Sequence, residues 1–236
     1  MSTFPFDRLA TYVAKSQDTL HCPLLHASGS GTLSDPLRLA MLLRHTDMAD
    51  EVDPETAYAQ TTQLLADLDN RLSAMMMHII TPLRLDAIEQ LKRIIQEVNP
   101  AALKTGTYYS AAIAVLAAER LAVVGIGSSK AWVWHGGVLR TAMEATILPI
   151  PGHPEQPGIL TAALGLGFAP EKIMSHAISL DLHEMVVIAM QAELPHEAAW
   201  ISTNRMENIT SPYILLSQIE SRLSSKPPLI TVIGIE

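Results

Sequence analysis

Four short apolar runs follow one another between Thr105 and Met143: TYYSAAIAVLA, ERLAVVGIG, SSKAWVWHGG and VLRTAM. They are rich in β-branched, aromatic and small apolar residues, and turn residues separate them. That pattern predicts an antiparallel meander. A sheet of this kind must bury at least one face, so the rest of the chain has to supply cover.

Helices supply it. In DPETAYAQTTQLLADLDNRLSAMMMH, Asp53 is placed to cap, Pro54 takes the first helical position, and Tyr58, Leu64, Leu65, Leu68, Leu72, Met75 and Met76 recur at helical spacing. Thr81-Pro82 restarts the pattern, and LRLDAIEQLKRIIQEV predicts another helix that Asn99-Pro100 stops. Ser34 as a cap and Pro36 in the first turn predict an earlier helix over LRLAMLLR. Before it, LATYVA and HCPLLHA read as strands that end at the glycine turn SGSGT, residues 28–32.

Beyond the meander, Pro149 to Pro157 is a proline-rich loop. GILTAALGLG reads equally as a short helix or a loop. SLDLHEMVVIAMQ reads as a strand pair or one long strand, and LPHEAAWISTN and ITSPYILLSQIESRLSS read as helices. PPLITVIGIE is a closing strand with its prolines where the strand begins. Helices grouped apart from a mostly antiparallel sheet make the class α+β. The last strand needs partners from before the proline loop, so residues 1–236 form one domain.

With 48% hydrophobic and 17% charged residues the chain folds around a core, and with 5% aromatics and 11 methionines that core is aliphatic. The net charge of -8, without a basic run, excludes a nucleic-acid binder, whose affinity rests on clustered cations. The single cysteine, Cys22, forms no internal disulfide. No signal-like stretch opens the chain, and Glu119-Arg120 interrupts its longest apolar region short of the roughly 20 residues that span a bilayer. The expected address is the cytoplasm, without membrane insertion.

The stretch VVGIGSSKAWVWHGG, residues 123–137, invites comparison with phosphate loops. It lacks the Walker spacing, and no dinucleotide fingerprint is completed, because AWVW alternates as a strand does and no helix follows. The residues instead predict a hairpin, LAVVGIG and AWVWHGG joined by a bend at SSK.

Here the sequence resembles the metal-dependent protein phosphatases of the protein phosphatase 2C (PPM) type. Their Gly-Asp-Ser-Arg-Ala-aromatic segment matches Gly127-Ser128-Ser129-Lys130-Ala131-Trp132, closed by Gly136-Gly137. Thr105-Gly106-Thr107 resembles the family's Gly-Thr-Thr strand, and Leu160-Thr161 with Ala163-Leu164-Gly165 its Leu-Thr-x-Ala-Leu-Gly segment. HEMVVIAMQAEL resembles the Gly-Asp-x-Leu-Leu-Leu-x-Ser-Asp-Gly-Leu strand, and Leu229-Ile230-Thr231-Val232 the Asp-Asn-Ile-Thr-Val strand. Ser28-Gly29-Ser30-Gly31 stands for the Asp-Gly-x-Gly turn that precedes a helix. The resemblance runs in order from about residue 20 to the end. It implies a four-layer α-β-β-α sandwich, two antiparallel sheets face to face with helices outside.

The family's chemistry implies aspartates that hold two Mg or Mn ions, which activate a water against phosphoserine or phosphothreonine. At the matched places Ser28 and Ser128 stand for aspartates, Gln191-Ala192 for Asp-Gly and Pro228-Leu229 for Asp-Asn. Neutral side chains do not offset the repulsion of two dications. The resemblance therefore implies a pseudophosphatase without metal or other cofactor, acting as a regulatory or protein-binding module. Ser28, Gly29, Gly127, Ser128, Lys130 and Gln191 mark the vestigial site. Lys130, read as a lone exposed cation, attracts phosphate only weakly. One alternative is an active phosphatase whose Mg or Mn is held by Asp35, Asp181, Glu184 or Glu193. Another is a small-molecule enzyme of a different α+β family.

Other constellations read structurally. His21, Cys22 and His26 lie on a strand, where four residues separate the histidines too far for one zinc ion. The methionines of MMMH, residues 75–78, spread around a helix and serve core packing or a partner-helix contact. Lys92, Arg93 and Glu97 form a solvated face with an i,i+4 pair. Trp132 and Trp134 share one strand face, as a core anchor or, on an open face, as a partner hot spot.

Overall fold

The computed structural model describes residues 9–12, 27–28, 37–46, 54–78, 86–117, 120–148, 150–152, 158–179, 184–190, 209, 214–215, 217–219 and 230–234. In chain order these give β1 (Leu9–Tyr12), β2 (Ala27–Ser28), β3 (Leu37–Thr46), α1 (Pro54–His78), α2 (Asp86–Thr105), β4 (Tyr108–Ala117), β5 (Arg120–Ile126), β6 (Ser129–His135), β7 (Val138–Met143), β8 (Ile147–Leu148), β9 (Ile159–Leu160), a 3₁₀ turn (Pro170–Lys172), β10 (Met174–Ser179), β11 (Met185–Met190) and β12 (Ile230–Gly234).

The strands form two five-stranded antiparallel sheets. One has the order β10-β5-β4-β3-β2, the other β1-β12-β11-β6-β7, and β8 pairs with β9 in a separate ribbon. The sequence-based meander is thereby corrected. β4–β5 and β6–β7 are hairpins, but β5 and β6 belong to different sheets, so the bend at 127–128 is a crossing between sheets. Gly125 and Gly127 suit this crossing. A Cβ on Gly125 would meet Ser129 and Met143, and one on Gly127 would meet Ser110, 2.9 Å from its Cα.

Two clusters locate the layers. Ala112 and Ala114 of β4, Leu121 and Val123 of β5 and Ile178 of β10 meet Ala131 of β6, Met143 of β7, and Val186 and Ile188 of β11, which fills the space between the sheets. The alternate residues of β4 and β5, with Leu43, pack against Leu64, Leu68 and Leu72 of α1 and Ala87, Leu91, Ile94, Ile95, Val98 and Ala102 of α2. Two helices thus cover the outer face of the first sheet. The outer face of the second sheet, with Trp132, Trp134, Leu139, Met185 and Val187, is buried too, and the helical residues 214–215 and 217–219 bury Leu215 and Ile219. The tryptophans are core anchors, which removes the open hot-spot reading.

Two helix expectations need correction. LRLAMLLR is the strand β3, paired with β4 along ten residues. A strand between two others in a covered sheet tends to be apolar on both faces, so its sequence imitates a buried helix. The helix that Asn99-Pro100 was expected to stop runs on to Thr105 with Pro100 inside it. Pro100 is solvent-exposed, whereas Ala102 just beyond it is fully buried. SLDLHEMVVIAMQ contributes β11, and β10 is a strand the sequence reading did not foresee. GILTAALGLG forms β9 and an irregular loop in which Leu164 bridges to Tyr109. HCPLLHA, LPHEAAWISTN and the helix cap Asp53 lie wholly or mainly outside the described residues.

Candidate functional site: the crossing turn

The crossing turn is closed by hydroxyl groups. Ser128 is 2% exposed and donates its Oγ proton to Ser110 Oγ at 3.0 Å, while its backbone N–H donates to the same oxygen at 2.9 Å. Ser129 Oγ donates to the Ile126 carbonyl at 3.3 Å. Gly127, with φ +81°, donates its N–H to Thr146 Oγ1 at 2.8 Å and accepts from the Thr146 N–H at 2.8 Å. Thr146 Oγ1 shares its own proton between the carbonyls of Gly127 and Ala162, both at 3.1 Å.

Lys130 is not the exposed cation expected. Its side chain is 3% exposed, with Nζ 2.7 Å from Glu144 Oε2 and 5.6 Å from the Trp132 ring centroid. A bulge in the β6–β7 pair explains the meeting. The register shifts between Ala131 and Trp132, which sets Met143 opposite Ala131 and Glu144 next to Lys130.

Gly127, Ser128 and Lys130 therefore gather at one turn. Ser28 does not join them. It is in register with Arg38, whereas Ser110, the partner of Ser128, is in register with Arg44, about 20 Å further along β3 at about 3.3 Å per residue. The segment after Ser28 leads into β3 rather than a helix. The strand that leads to α1 is β3 itself, and the sequence between them holds Asp47, Asp50, Glu51 and Asp53. Those residues, like Gly29, Gln191, Asp35, Asp181, Glu193, His21, Cys22 and His26, lie outside the described residues. Glu184 is excluded as a ligand beside Ser128. It precedes β11 and accepts from His135 Nδ1 at 2.9 Å, at the far end of β6 and about 20 Å from the turn.

Two matched motifs far apart in sequence do meet. Tyr109 and Leu164 exchange backbone hydrogen bonds of 2.9 Å each. Gly165, at φ +84°, lies against the Thr107 carbonyl and donates its N–H to Asn99 Oδ1 at 2.8 Å. Thr107 Oγ1 donates to Gln60 Oε1 at 3.3 Å and lies 3.0 Å from the Tyr109 hydroxyl.

The chain aligns with solved serine/threonine phosphatases over nearly its whole length. The S. agalactiae serine/threonine phosphatase aligns at a TM-score of 0.63 with 10% identity, over 96% of this chain and 98% of that one. The Mycobacterium tuberculosis serine/threonine phosphatase PstP/Ppp gives 0.58 at 11%, over 91% and 98%. Stp1 from Staphylococcus aureus gives 0.57 at 9%, over 97% and 93%. The fold is that of the PPM-type serine/threonine phosphatases. No family model and no curated protein sequence matches the chain. Identities this low establish the PPM-type fold and leave the chemistry to the residues.

The PPM-type fold implies a pair of divalent cations. The side chains at the crossing turn do not fit one. Ser110, Ser128, Ser129 and Thr146 are neutral hydroxyls engaged with one another or with carbonyls, and Glu144 neutralises Lys130. Hard dications take several carboxylate or carbonyl oxygens at about 2.0–2.6 Å, with water completing the shell. Among the described residues no three His, Cys, Asp or Glu side chains are grouped to hold an ion, and no helix is long and apolar enough to cross a membrane.

Proposed function

We propose that this chain is a PPM-type phosphatase-like domain that does not turn over phosphoprotein and works as a regulatory module by binding another protein, without a cofactor. The observation that carries the reading is Ser128. It stands at the turn matched to the family's Gly-Asp-Ser segment, with its hydroxyl buried against Ser110 and its neighbour Lys130 already neutralised. A second observation supports a binding role. Leu148 and Ile159, 59% and 62% exposed, face each other across the β8–β9 ribbon, an apolar pair presented to solvent. The single cysteine supports a reducing, cytoplasmic setting.

A second reading keeps the activity, with Mg or Mn held by carboxylates outside the turn. It is favoured by the acidic run Asp47, Asp50, Glu51 and Asp53 that follows β3 in sequence. The strand's end, Thr46, is in register with Tyr108, two residues from Ser110.

Calorimetric titration of the metal-stripped protein with manganese and magnesium, with phosphopeptide turnover assayed in the same samples, separates the two. No binding below millimolar and no turnover are expected. Micromolar binding of two ions with manganese-dependent turnover would replace the first reading by the second.

A further inference from the structure

We infer that residues 144–146 form a strap that locks the crossing turn, with Thr146 as its hub, so that this end of the sandwich is held by hydrogen bonds and an ion pair rather than by a cation. The inference rests on the metal-free reading above and adds a residue that no sequence motif marks.

Thr146 is 7% exposed, and its polar atoms are all engaged. Its N–H and hydroxyl hold both backbone groups of Gly127. Its carbonyl accepts from the Thr161 N–H at 2.8 Å and from Thr161 Oγ1 at 3.0 Å. Its hydroxyl also reaches the Ala162 carbonyl. One residue thereby joins three segments: the β5–β6 crossing, the β7–β8 link and the exit from β9. Two residues earlier, Glu144 grips Lys130. The strap thus holds residues 127–130 at both ends, while Ser110 holds the middle through Ser128.

The contacts require a side chain that donates and accepts at once. A hydroxyl does this, and a valine of the same shape does not. Gly127 then loses a buried acceptor for its N–H, which costs more than the hydrogen bond was worth. A metal-bridged turn would respond to chelator, and this turn would not.

The experiment is amide hydrogen exchange on the full chain, in EDTA and in manganese, for the natural protein, Thr146→Val, Thr146→Ser and Ser110→Ala. The natural protein is expected to protect Gly127, Ser128 and Thr161 equally in both media. Thr146→Val should lose about tenfold protection at Gly127, while Thr161, whose acceptor is the Thr146 backbone carbonyl, and α1 and α2 keep more of theirs, and Thr146→Ser should retain it throughout. Ser110→Ala should expose Ser128 and spare Gly127. If Thr146→Val fails to fold, the Ser110→Ala pattern decides. Equal loss at Gly127 and Ser128 in Ser110→Ala would overturn Thr146 as the hub. So would full protection of Gly127 in Thr146→Val, and either result leaves the metal-free reading intact. Loss of protection at the turn in EDTA, restored by manganese, would overturn the metal-free reading itself.

Discussion

Lys130 Nζ lies 2.7 Å from Glu144 Oε2, although the lysine side chain is 3% exposed and the glutamate side chain 60%. The two partners therefore have unequal alternatives. Without Lys130, the Glu144 carboxylate stays hydrated. Without Glu144, the ammonium remains in the interior beside Trp132. Removing one member of a buried pair costs more than replacing the buried charge by an apolar chain of similar length. Glu144→Ala is expected to lower stability by about 1–2 kcal/mol, and Lys130→Met to change it by less than about 1 kcal/mol. Thermal melts of the two variants check this. A larger loss in Lys130→Met would show that the ammonium itself, rather than its neutralisation, holds the turn.

Gly127 and Gly136 separate two costs that usually come together. Both have positive φ, +81° and +55°. A Cβ at Gly136 meets nothing within 4 Å, whereas one at Gly127 runs into Ser110, including its backbone. Gly136→Ala should cost only backbone strain, about 1–2 kcal/mol. Gly127→Ala adds displacement of β4 and should cost about 3 kcal/mol or more. Denaturant titration of both measures the difference, and equal losses would mean that the approach to Ser110 is unimportant.

Across the helix pair, Glu97 of α2 accepts from Arg93 Nε at 2.7 Å and from Arg71 Nη1 of α1 at 2.8 Å. The Arg93 hydrogen bond is the main cause of a carboxyl pKa below the usual value. Desolvation opposes it, and the charges of Arg93 and Arg71 assist. A carboxyl depressed in the folded state contributes stability above its unfolded pKa and loses it as pH falls through the folded value. Arg71→Ala should therefore lower the Tm slightly at neutral pH, and the difference should close in acid and at high salt. A difference independent of pH and salt would assign the effect to packing of the arginine stem.

The legible elements were those whose periodicity matched their environment. α1 and α2 each present one apolar stripe to one sheet, so Leu64, Leu68 and Leu72 announced themselves. β4 to β7 were legible from β-rich runs cut by Ala118-Glu119 and by glycines. β3 was not, because its apolar run has no alternation and Leu and Met favour helices locally. At the turn, Gly127, Ser128 and Lys130 were found through a motif. Their partners Ser110, Glu144 and Thr146 were missed, because each depends on register or on the β6–β7 bulge rather than on local sequence. The match at Ser28 failed for a related reason. With β3 read as a helix, the turn before the first helix was placed one strand too early.

Helix α2 passes through Pro100 without stopping. A proline inside a helix removes one hydrogen bond and crowds the preceding turn, at a cost of about 3 kcal/mol, offset by about 0.4–1 kcal/mol of lost unfolded-state entropy. Relief of that strain alone would make Pro100→Ala more stable by about 2–2.5 kcal/mol. The flanking residues offer a competing role for the proline: Asn99 Oδ1 holds the Gly165 N–H at 2.8 Å, and Ala102 is fully buried. Asn99→Ala should cost about 1 kcal/mol, and Asn99→Asp, which keeps the acceptor, should cost less. The double variant Asn99→Ala/Pro100→Ala separates the effects. Additive changes mean that the proline is only a local strain. A Pro100→Ala variant that is destabilised alone, but harmless once Asn99 is gone, means that Pro100 helps aim Asn99 at the Gly165 loop.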